Sequence, residues 1–292
     1  METAWWFDWR EDAERLPRAD RVYFGHETCA QRLPSIARAA ELCRRAADGG
    51  TAVTLVLPCL TERGMAVGLR LVAHLVATFE SLEVVASDWG LLRELSLRKL
   101  ATPVVGRLLT AQHTDPRILR VVAPRSGVPG DRAVHPRETP TAALRHAIHL
   151  DGTLCDVEWR SPSPALVEHY RSCWIDRQEV MALLQDWGIH SCELSNTPQG
   201  IVFGRVAGWS CSLHVPEVLV AVMRQCPGPG EDMAGPAPCA TCTGDRGEIP
   251  WSCDTLPVPF FRRDNALYYR WARQPQELAD LPIDRLVYAS GR

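Results

Sequence analysis

The chain has 292 residues, of which 46% are hydrophobic and 23% charged, and this balance excludes a largely disordered protein. Its formal net charge of −3 gives no electrostatic case for nucleic-acid binding, and no basic run offsets it. No stretch approaches the roughly 20 apolar residues of a membrane-spanning helix, and the first residues lack the apolar segment of a signal peptide. We therefore expect a cytoplasmic protein without a membrane span.

Predicted strands and helices alternate along most of the chain. A β-branched and leucine-rich run at residues 51–57 is typical of a buried parallel strand, and the glycine pair before it ends the preceding helix. We predict strands at residues 21–24, 51–57, 83–86, 103–106, 189–194, 200–206 and 212–215. We predict helices at residues 31–47 and 64–79, one ending at 100, one between a capping box at 176–179 and Gly188, and a short one starting at Pro216. Residues 125–140, rich in Pro, Gly and Arg, are predicted to be a long excursion.

Repeated strand–helix units with short connections favour an α/β fold with a parallel sheet, either open or closed. We favour a parallel (β/α) barrel-like domain over residues 21–225. The segment 1–20, with Trp5, Trp6 and Trp9, is predicted to pack on the barrel, the alternative being a partner surface. Residues 226–292 are predicted to form a cysteine-rich metal-binding arm and a closing strand of the same domain.

Polar side chains cluster where the predicted strands end. Glu27 follows the first strand, Asp88 follows the third, and Glu193 and Ser195 end the fifth. The strand ends of a parallel barrel share one face, where active sites are built. We therefore expect Asp88, Glu193 and Ser195 to line a cavity there. Asp88 would serve equally well as the cap of the helix that follows it.

Glu193 is the candidate acid/base group, because burial at the end of an apolar strand would raise the pKa of its carboxyl. The alternative is an ion pair between Glu193 and an arginine such as Arg32. His113 and Asp115 could bind a polar ligand, although a turn before Pro116 explains Asp115 as well.

Cysteines late in the chain predict a metal site. Cys226 precedes a Gly/Pro-rich loop, Cys239 and Cys242 form a Cys-x-x-Cys step, and Cys253 follows. Two thiolates from one tight turn can reach the same metal, and the loop lets a third join them. Soft thiolates select zinc or an iron–sulfur cluster. Cys253 would complete a local zinc site, and Cys211 is a weaker candidate for the fourth ligand.

Several segments, in this order, resemble peptidase family U32, the collagenase-like peptidase family. The likeness is strongest to its short members, the paired accessory proteins of oxygen-independent ubiquinone hydroxylation, and runs from about Val22 to Tyr269. Gly25-His-Glu-Thr-Cys29-Ala-Gln-Arg32 resembles the family's Gly-Glu-x-x-Cys-x-x-Arg segment, and Ala86-Ser-Asp88-Trp-Gly90 resembles its Asn-Asp-x-Gly turn. Cys192-Glu193-Leu-Ser195 is similar to its Glu-Leu-Ser strand end. Arg224-Gln-Cys226, with Cys239 and Cys242, resembles its late cysteine arm, and residues 265–269 resemble its closing strand.

This resemblance implies a barrel-like fold, a heterodimer with a related family subunit, and a [4Fe–4S] cluster held by Cys29, Cys226, Cys239 and Cys242. The chain departs from the family at two of these places: Glu27 stands one position later than in the pattern, and the final Cys-x-x-Cys is one residue shorter than in the ubiquinone member. The Glu-x-Phe-x-x-Gly arm of the long collagenase-like members is also not found in the sequence, which counts against a peptidase.

The expected function is support of an oxygen-independent hydroxylation, or a related redox modification, together with the partner subunit and an electron donor. A closed cluster could move one electron at a time without touching substrate. One alternative is a peptidase-like hydrolase in which the cysteines hold a structural zinc. The other is a non-catalytic scaffold for a metalloenzyme complex.

Overall fold

Strands and helices alternate along most of the chain in a computed structural model. It describes residues 1–79, 81–116, 121–124, 147–150, 153–202, 208–223, 247–251, 258–272 and 283–289. The strands in these ranges are β1 (Glu2–Trp6), β2 (Arg21–Gly25), β3 (Ala52–Leu57), β4 (Glu83–Ala86), β5 (Thr102–Val105), β6 (Val121–Pro124), β7 (Ala147–Leu150), β8 (Thr153–Arg160), β9 (Ser191–Ser195), β10 (Ser210–Val215), β11 (Glu217–Val222), β12 (Ile249–Trp251), β13 (Phe260–Arg263), β14 (Ala266–Arg270) and β15 (Arg285–Tyr288). The helices are α1 (Ile36–Asp48), α2 (Glu62–Val76), α3 (Trp89–Arg98), α4 (Arg107–Thr110), α5 (Pro164–Arg171) and α6 (Gln178–Asp186).

Eight parallel strands close into a barrel in the order β1-β2-β3-β4-β5-β9-β10-β15, with β15 returning to β1. This arrangement confirms the predicted α/β barrel. Two smaller antiparallel sheets accompany it, β11-β14-β13-β12 and β6-β8-β7. The first begins directly after β10 and so lies at the barrel end where the parallel strands finish. No helix in the described ranges is long and apolar enough to cross a membrane.

Alternation along each strand separates the barrel interior from its outer core. The inward side chains of six strands form one small cluster, namely Ala4, Tyr23, Val56, Val85, Val104 and Val287. Their neighbours in sequence, such as Phe24, Leu55 and Val84, pack outward with the helices in a much larger core. This is the two-residue period expected for strands with both faces buried.

Side-chain caps fix where the first three helices begin. The oxygens of Ser35, Thr61 and Asp88 accept from backbone N–H groups at the starts of α1, α2 and α3. The predicted helix from residue 31 therefore begins only after Ser35, and residues 30–32 form a 3-10 turn. Pro34 disfavours the helical conformation at the residue before it, which explains the later start.

The N-terminal segment is a barrel strand rather than a segment packed on the barrel. β1 pairs in parallel with β15 on one side and β2 on the other. Trp5 lies opposite Tyr288, and their rings stack with centroids 5.0 Å apart. Five residues are too few to show strand alternation clearly, and their partner strand lies at the far end of the sequence.

Four other predictions were wrong in detail. Pro216 does not begin a helix: it follows a cis peptide bond, and the β-branched run after it forms β11. Asp176 lies in a 3-10 turn before α6, and Arg177 takes the N-cap position without a side-chain cap. Residues 200–202 are not strand. The predicted closing strand at 265–269 belongs to β14 of the antiparallel sheet, while β15 closes the barrel.

Candidate functional site

A cavity of about 350 Å³ lies at the barrel end where the parallel strands finish. This volume falls within the usual range of small-molecule sites, about 300–1,000 Å³. Five arginines and five carboxylates line it, so its formal charge is balanced. The lining residues are Trp6, Phe7, Asp8, Trp9, Arg10, Gly25, His26, Glu27, Arg32, Arg107, Glu217, Gly247, Glu248, Arg263, Asp264, Tyr268, Arg270 and Ala289. We call this end of the barrel the mouth.

Gly25, the last residue of β2, lets the backbone at the mouth pass very close to that of the neighbouring strand β3. Gly25 has a φ of +112°, and a Cβ there would lie 2.3 Å from the carbonyl oxygen of Val56. A side chain is therefore excluded both by conformation and by space. The chain turns at this glycine and delivers His26, Glu27 and Cys29 to the mouth.

Glu27 and Arg107 form a buried ion pair in the mouth. Arg107 Nε and Nη2 donate to the two carboxylate oxygens of Glu27 at 2.9 and 2.5 Å, and both side chains are only 6% exposed. Burial alone would raise the pKa of Glu27, but the adjacent guanidinium lowers it overall. Arg107 Nη1 also donates to the carbonyl oxygen of Glu217 at 3.0 Å, so the pair joins three strand ends.

A second ion-pair group comes from the antiparallel sheet. Arg263 donates to both carboxylate oxygens of Glu217 at 2.8 and 2.6 Å, and also to Glu248. Arg270 donates to Glu248 at 2.5 Å, and its guanidinium lies 4.3 Å from the ring centroid of Phe261. Burial opposes the charge of Arg263, yet the two carboxylates raise its pKa overall.

His26 ties the loop after β2 to the turn between β13 and β14. Its Nδ1 accepts from the backbone N–H groups of Thr28 and Cys29 at 3.2 and 3.0 Å. Nε2 therefore carries the proton, and it faces Asp264 Oδ2 at 3.3 Å. Arg32 pairs with the same carboxylate. Burial alone would raise the pKa of Asp264, but His26 and Arg32 lower it overall.

Cys29 is a buried thiol beside the cavity, 4% exposed. Burial raises its pKa, whereas hydrogen bonds from the backbone N–H groups of Gln31 and Arg32 and the charge of Arg32 favour its thiolate. Asp264 acts in the opposite direction. Burial prevails over these effects, so the pKa of the Cys29 thiol lies above its ordinary value.

Asn265 bridges the Cys29 loop to the end of β11. Its Nδ2 donates to the carbonyl oxygens of Thr28 and Met223 at 2.8 and 3.0 Å. Its Oδ1 accepts from the Thr28 hydroxyl at 2.9 Å. The residue is 1% exposed, so these bonds are dry. Met223 stands three positions before Cys226 in the sequence.

Behind the cavity, a chain of hydrogen bonds runs into the barrel interior. Trp6 lines the cavity and donates from Nε1 to His214 Nδ1 at 3.5 Å. The other ring nitrogen of His214 contacts Glu193. Tyr23 donates to Glu193 Oε1 at 2.8 Å and accepts from Arg285 Nη1 at 2.7 Å. A titratable group in the interior is therefore linked to the mouth.

The two pKa values of the Glu193–His214 pair shift in opposite directions, that of the carboxyl upwards and that of the imidazole downwards. Burial is the main cause for both groups: it raises the pKa of Glu193 to about 7 and lowers that of His214 well below its usual value. Arg285 partly offsets the shift of Glu193, while Arg107 adds to that of His214. Near neutral pH, His214 is uncharged and Glu193 is close to half protonated.

The structure separates the candidate residues of the strand ends. Glu193 and Ser195 are 1% exposed inside the barrel and are not among the residues that line the cavity. Ser195 Oγ accepts from Arg107 at 3.5 Å. Asp88 caps α3 by accepting from Leu91 N–H at 3.0 Å. The suggested pairing of Glu193 with Arg32 is wrong, because Arg32 pairs with Asp264.

The remaining candidates lie elsewhere. Cys211 is near the start of β10, at the opposite end of the barrel, and its sulfur lies 3.8 Å from that of Cys192 in the outer core. His113 is exposed and packs against Tyr170, with ring centroids 4.5 Å apart and the ring planes tilted by 59°. Within the described ranges, no three His, Cys, Asp or Glu side chains are grouped to hold a metal ion. The cysteines at positions 226, 239, 242 and 253 fall outside those ranges, as does the excursion at 125–140.

Sequence reasoning missed Arg107, His214 and Asp264. Arg107 directly follows Gly106 at a predicted strand end, so the rule that selected Asp88 would also have found it. His214 had a signal as well, because polar residues at 210, 212 and 214 alternate with apolar ones and mark an inward face. Asp264 had no comparable signal, because the turn that carries it reaches the mouth only through the antiparallel sheet.

Comparison with known proteins gives a structural match over the full length of the chain and no match by sequence. No family profile and no curated protein matches this chain. The solved structure of the U32 peptidase Mk0906 matches over 100% of this chain and 93% of that one, with 12% identity and a TM-score of 0.42. A likeness at this level does not bear on the activity of the present chain.

Proposed function

We propose that this chain binds a [4Fe–4S] cluster at the mouth through Cys29, Cys226, Cys239 and Cys242. In this proposal the cluster supports a redox modification of a small molecule held in the mouth cavity. Oxygen-independent hydroxylation is the chemistry that the sequence resemblance implies. A related subunit and an electron donor complete the proposed system.

The observation that carries this proposal is the position of the two ends of the segment 224–246, which contains three of the four cysteines. Met223, just before it, is bonded through Asn265 to Thr28, the neighbour of Cys29. Gly247, just after it, lines the mouth cavity together with Glu248. The described residues on both sides of this segment therefore lie at the part of the barrel that holds Cys29, which supports the proposed ligand set.

The surroundings of Cys29 fit a ligating thiolate. Burial holds the pKa of this thiol above its ordinary value, but the backbone N–H groups of Gln31 and Arg32 and the charge of Arg32 favour the thiolate. A metal bound there would supply the rest of the deprotonation. Burial keeps solvent from the sulfur, as the stability of an iron–sulfur site requires. Bound there, a [4Fe–4S] cluster would supply one-electron transfer.

The described residues would bind a substrate and provide one group that titrates near neutral pH. Aromatic rings of Trp6, Phe7, Trp9 and Tyr268 line the cavity among the ion pairs, which suits a flat molecule with polar groups. Glu193 can take up or release a proton near neutral pH, and His214 and Trp6 link it to the cavity. It would act on the cavity through its charge, since it does not line the cavity and the indole N–H of Trp6 donates a hydrogen bond without relaying a proton.

Anaerobic purification tests the proposal, with an absorption spectrum and analysis of iron, sulfide and zinc. We expect a broad band near 400 nm that bleaches on reduction, with about four irons and four sulfides per chain. A colourless protein with one zinc and no iron would overturn the redox function and favour the structural zinc site. The hydrolase reading would then become the leading one.

Two matched variants assign the fourth ligand. Cys29→Ala should lose most of the bound iron, because a cluster with three protein ligands is exposed to release. Cys43→Ala is the control: Cys43 is also a buried thiol with a raised pKa, but it lies on α1 in the outer core. Full retention of iron in Cys29→Ala, with loss in Cys253→Ala, would move the ligand to Cys253 and contradict the proposed set.

A further inference from the structure

The outer surface of the barrel carries a second concavity that the proposed function does not use. It lies between α2 and α3, has a volume of about 900 Å³, and we call it the α2–α3 groove. Its floor is apolar and includes Met65, Leu69 and Leu100, and Val67 on its wall is 44% exposed. The outward face of a barrel helix normally carries polar residues, so apolar exposure here needs an explanation.

Arginines without acidic partners rim this groove. Arg63, Arg70 and Arg93 are exposed and line it. Within the part of the chain that the structure describes, none of the three forms an ion pair. Arg98 does, with Glu94 on the same helix at 2.8 Å. Glu62 and Glu94 also line the groove, but four arginines against these two carboxylates leave its lining with a net positive charge. An apolar floor beside this charge is complementary to a surface that is apolar and acidic.

We infer that the α2–α3 groove docks an acidic amphipathic helix of a partner protein. Arg63 and Arg70 are seven residues apart on α2, which places them about 10 Å apart along one face. Two carboxylates seven residues apart on a docked helix match that spacing. The apolar stripe between them would then cover the exposed Val67, as in other complexes where a helix lies in a groove.

Groove shape and charge favour a helix over other acidic partners. A lipid surface is flat and is bound by protruding apolar side chains, whereas this floor is recessed between two helices. A nucleic acid would use the three arginines but would leave the apolar floor uncovered. A helix about as long as the 15-residue α2 satisfies both features.

Fluorescence anisotropy tests the inference with defined peptides. The first probe is a labelled 15-residue helical peptide with a leucine stripe and glutamates seven residues apart. The second has the same composition in scrambled order, and the third replaces Glu with Lys. We expect saturable binding of the first peptide alone, weakening as salt rises. No saturable binding of the first, or equal binding of the scrambled peptide, would overturn the inference.

Charge-reversal variants locate the binding. The triple variant Arg63→Glu, Arg70→Glu, Arg93→Glu should weaken binding at least tenfold. Val67→Glu should also weaken it, by placing a carboxylate against the docked stripe. The control triple Arg18→Glu, Arg44→Glu, Arg177→Glu makes the same charge change at exposed sites outside the groove, and should stay within twofold of the parent. Equal losses in both triples, or tighter binding to vesicles containing phosphatidylserine that depends on the same arginines, would refute a helical partner.

Discussion

Glu193 and His214 together hold about one proton whether the protein is folded or unfolded. At pH 6 the folded pair carries it on Glu193, whose pKa is about 7, because His214 stays neutral. Unfolding moves the proton to the histidine, since free His titrates near pH 6.5 and free Glu near 4.5. Between those values the pair therefore adds little to the pH dependence of stability.

Single substitutions at Glu193 and His214 should change the pH dependence of the free energy of unfolding in opposite directions. In Glu193→Gln the remaining His214 binds a proton only when unfolded, so the free energy of unfolding should rise with pH up to about 6.5 relative to the parent. In His214→Gln the remaining Glu193 binds a proton mainly when folded, so the free energy of unfolding should fall between pH 4.5 and about 7.

Urea unfolding at several pH values between 5 and 8 checks this prediction. Each variant is compared with the parent at the same pH, so that slopes from Glu27, Asp264 and other groups cancel. Glu179→Gln, at an exposed position on α6, is the control and should run parallel to the parent. Parallel curves for all the variants would show that the two groups are not coupled through one proton.

At the scale of single elements, α3 shows why a polar residue at a strand end is an ambiguous sign. Asp88 follows β4 and so satisfies the rule for active sites in barrels. Its Oδ1 nevertheless accepts from Leu91 N–H, and its other oxygen accepts from Cys59 Sγ at 3.3 Å. Capping accounts for the residue without a catalytic role.

Substitution of Asp88 distinguishes a helix cap from a carboxylate that takes part in the site. Asp88→Ala removes the cap and should lower the free energy of unfolding by about 1 kcal/mol. Asp88→Asn keeps a capping oxygen but not the charge, so it should match the parent in stability and, under the proposed function, in bound iron. Chemical denaturation and iron analysis are the measurements. Loss of iron or of turnover in Asp88→Asn alone would assign the carboxylate a part in the site.

At the scale of the whole molecule, one arginine joins the first and last barrel strands at the end opposite the mouth, where the parallel strands begin. We call this end the barrel floor. Arg285, on the last barrel strand, donates to Glu2 on the first at 2.5 Å and to Glu83 on β4 at 2.6 and 3.0 Å. It also reaches Tyr23 and Ser212. Burial opposes its charge, but Tyr23, Glu83 and Glu193 raise the pKa of Arg285 overall, so the guanidinium remains charged.

Removal of this arginine should be costly because Glu2 and Glu83 would keep only Arg21 as a cationic partner. Arg285→Met should lower the free energy of unfolding by about 1–3 kcal/mol, the usual cost of leaving buried polar groups short of a hydrogen-bond partner. Arg44→Met, at an exposed position on α1, should change it by less than about 0.5 kcal/mol. Thermal or chemical unfolding measures both. A cost below about 1 kcal/mol for Arg285→Met would mean that the floor is hydrated in solution.

Much of the barrel could be predicted from the sequence because its signals are local. The run at 51–57, the glycines after α1 and the polar residues after strands each depend on neighbours within a few positions. The parallel pairing of β2, β3, β4 and β5 follows from those signals, because right-handed crossovers leave few alternatives. The mouth, as the face where polar groups meet, was predictable for the same reason.

Contacts between distant segments were decided only by tertiary structure. β1 becomes a barrel strand because β15, at the other end of the chain, offers it an edge, and no five-residue pattern can announce that partner. Glu193 meets Tyr23 and His214 rather than Arg32 because closure of the barrel turns these side chains inward, while the β13–β14 turn brings Asp264 to Arg32. The sequence by itself thus determined six of the barrel strands, β2 to β5, β9 and β10, and where they end. Closure of the barrel determined which side chains form hydrogen bonds in its interior and which form ion pairs at the mouth, because contacts between distant segments depend on the packing of the whole chain.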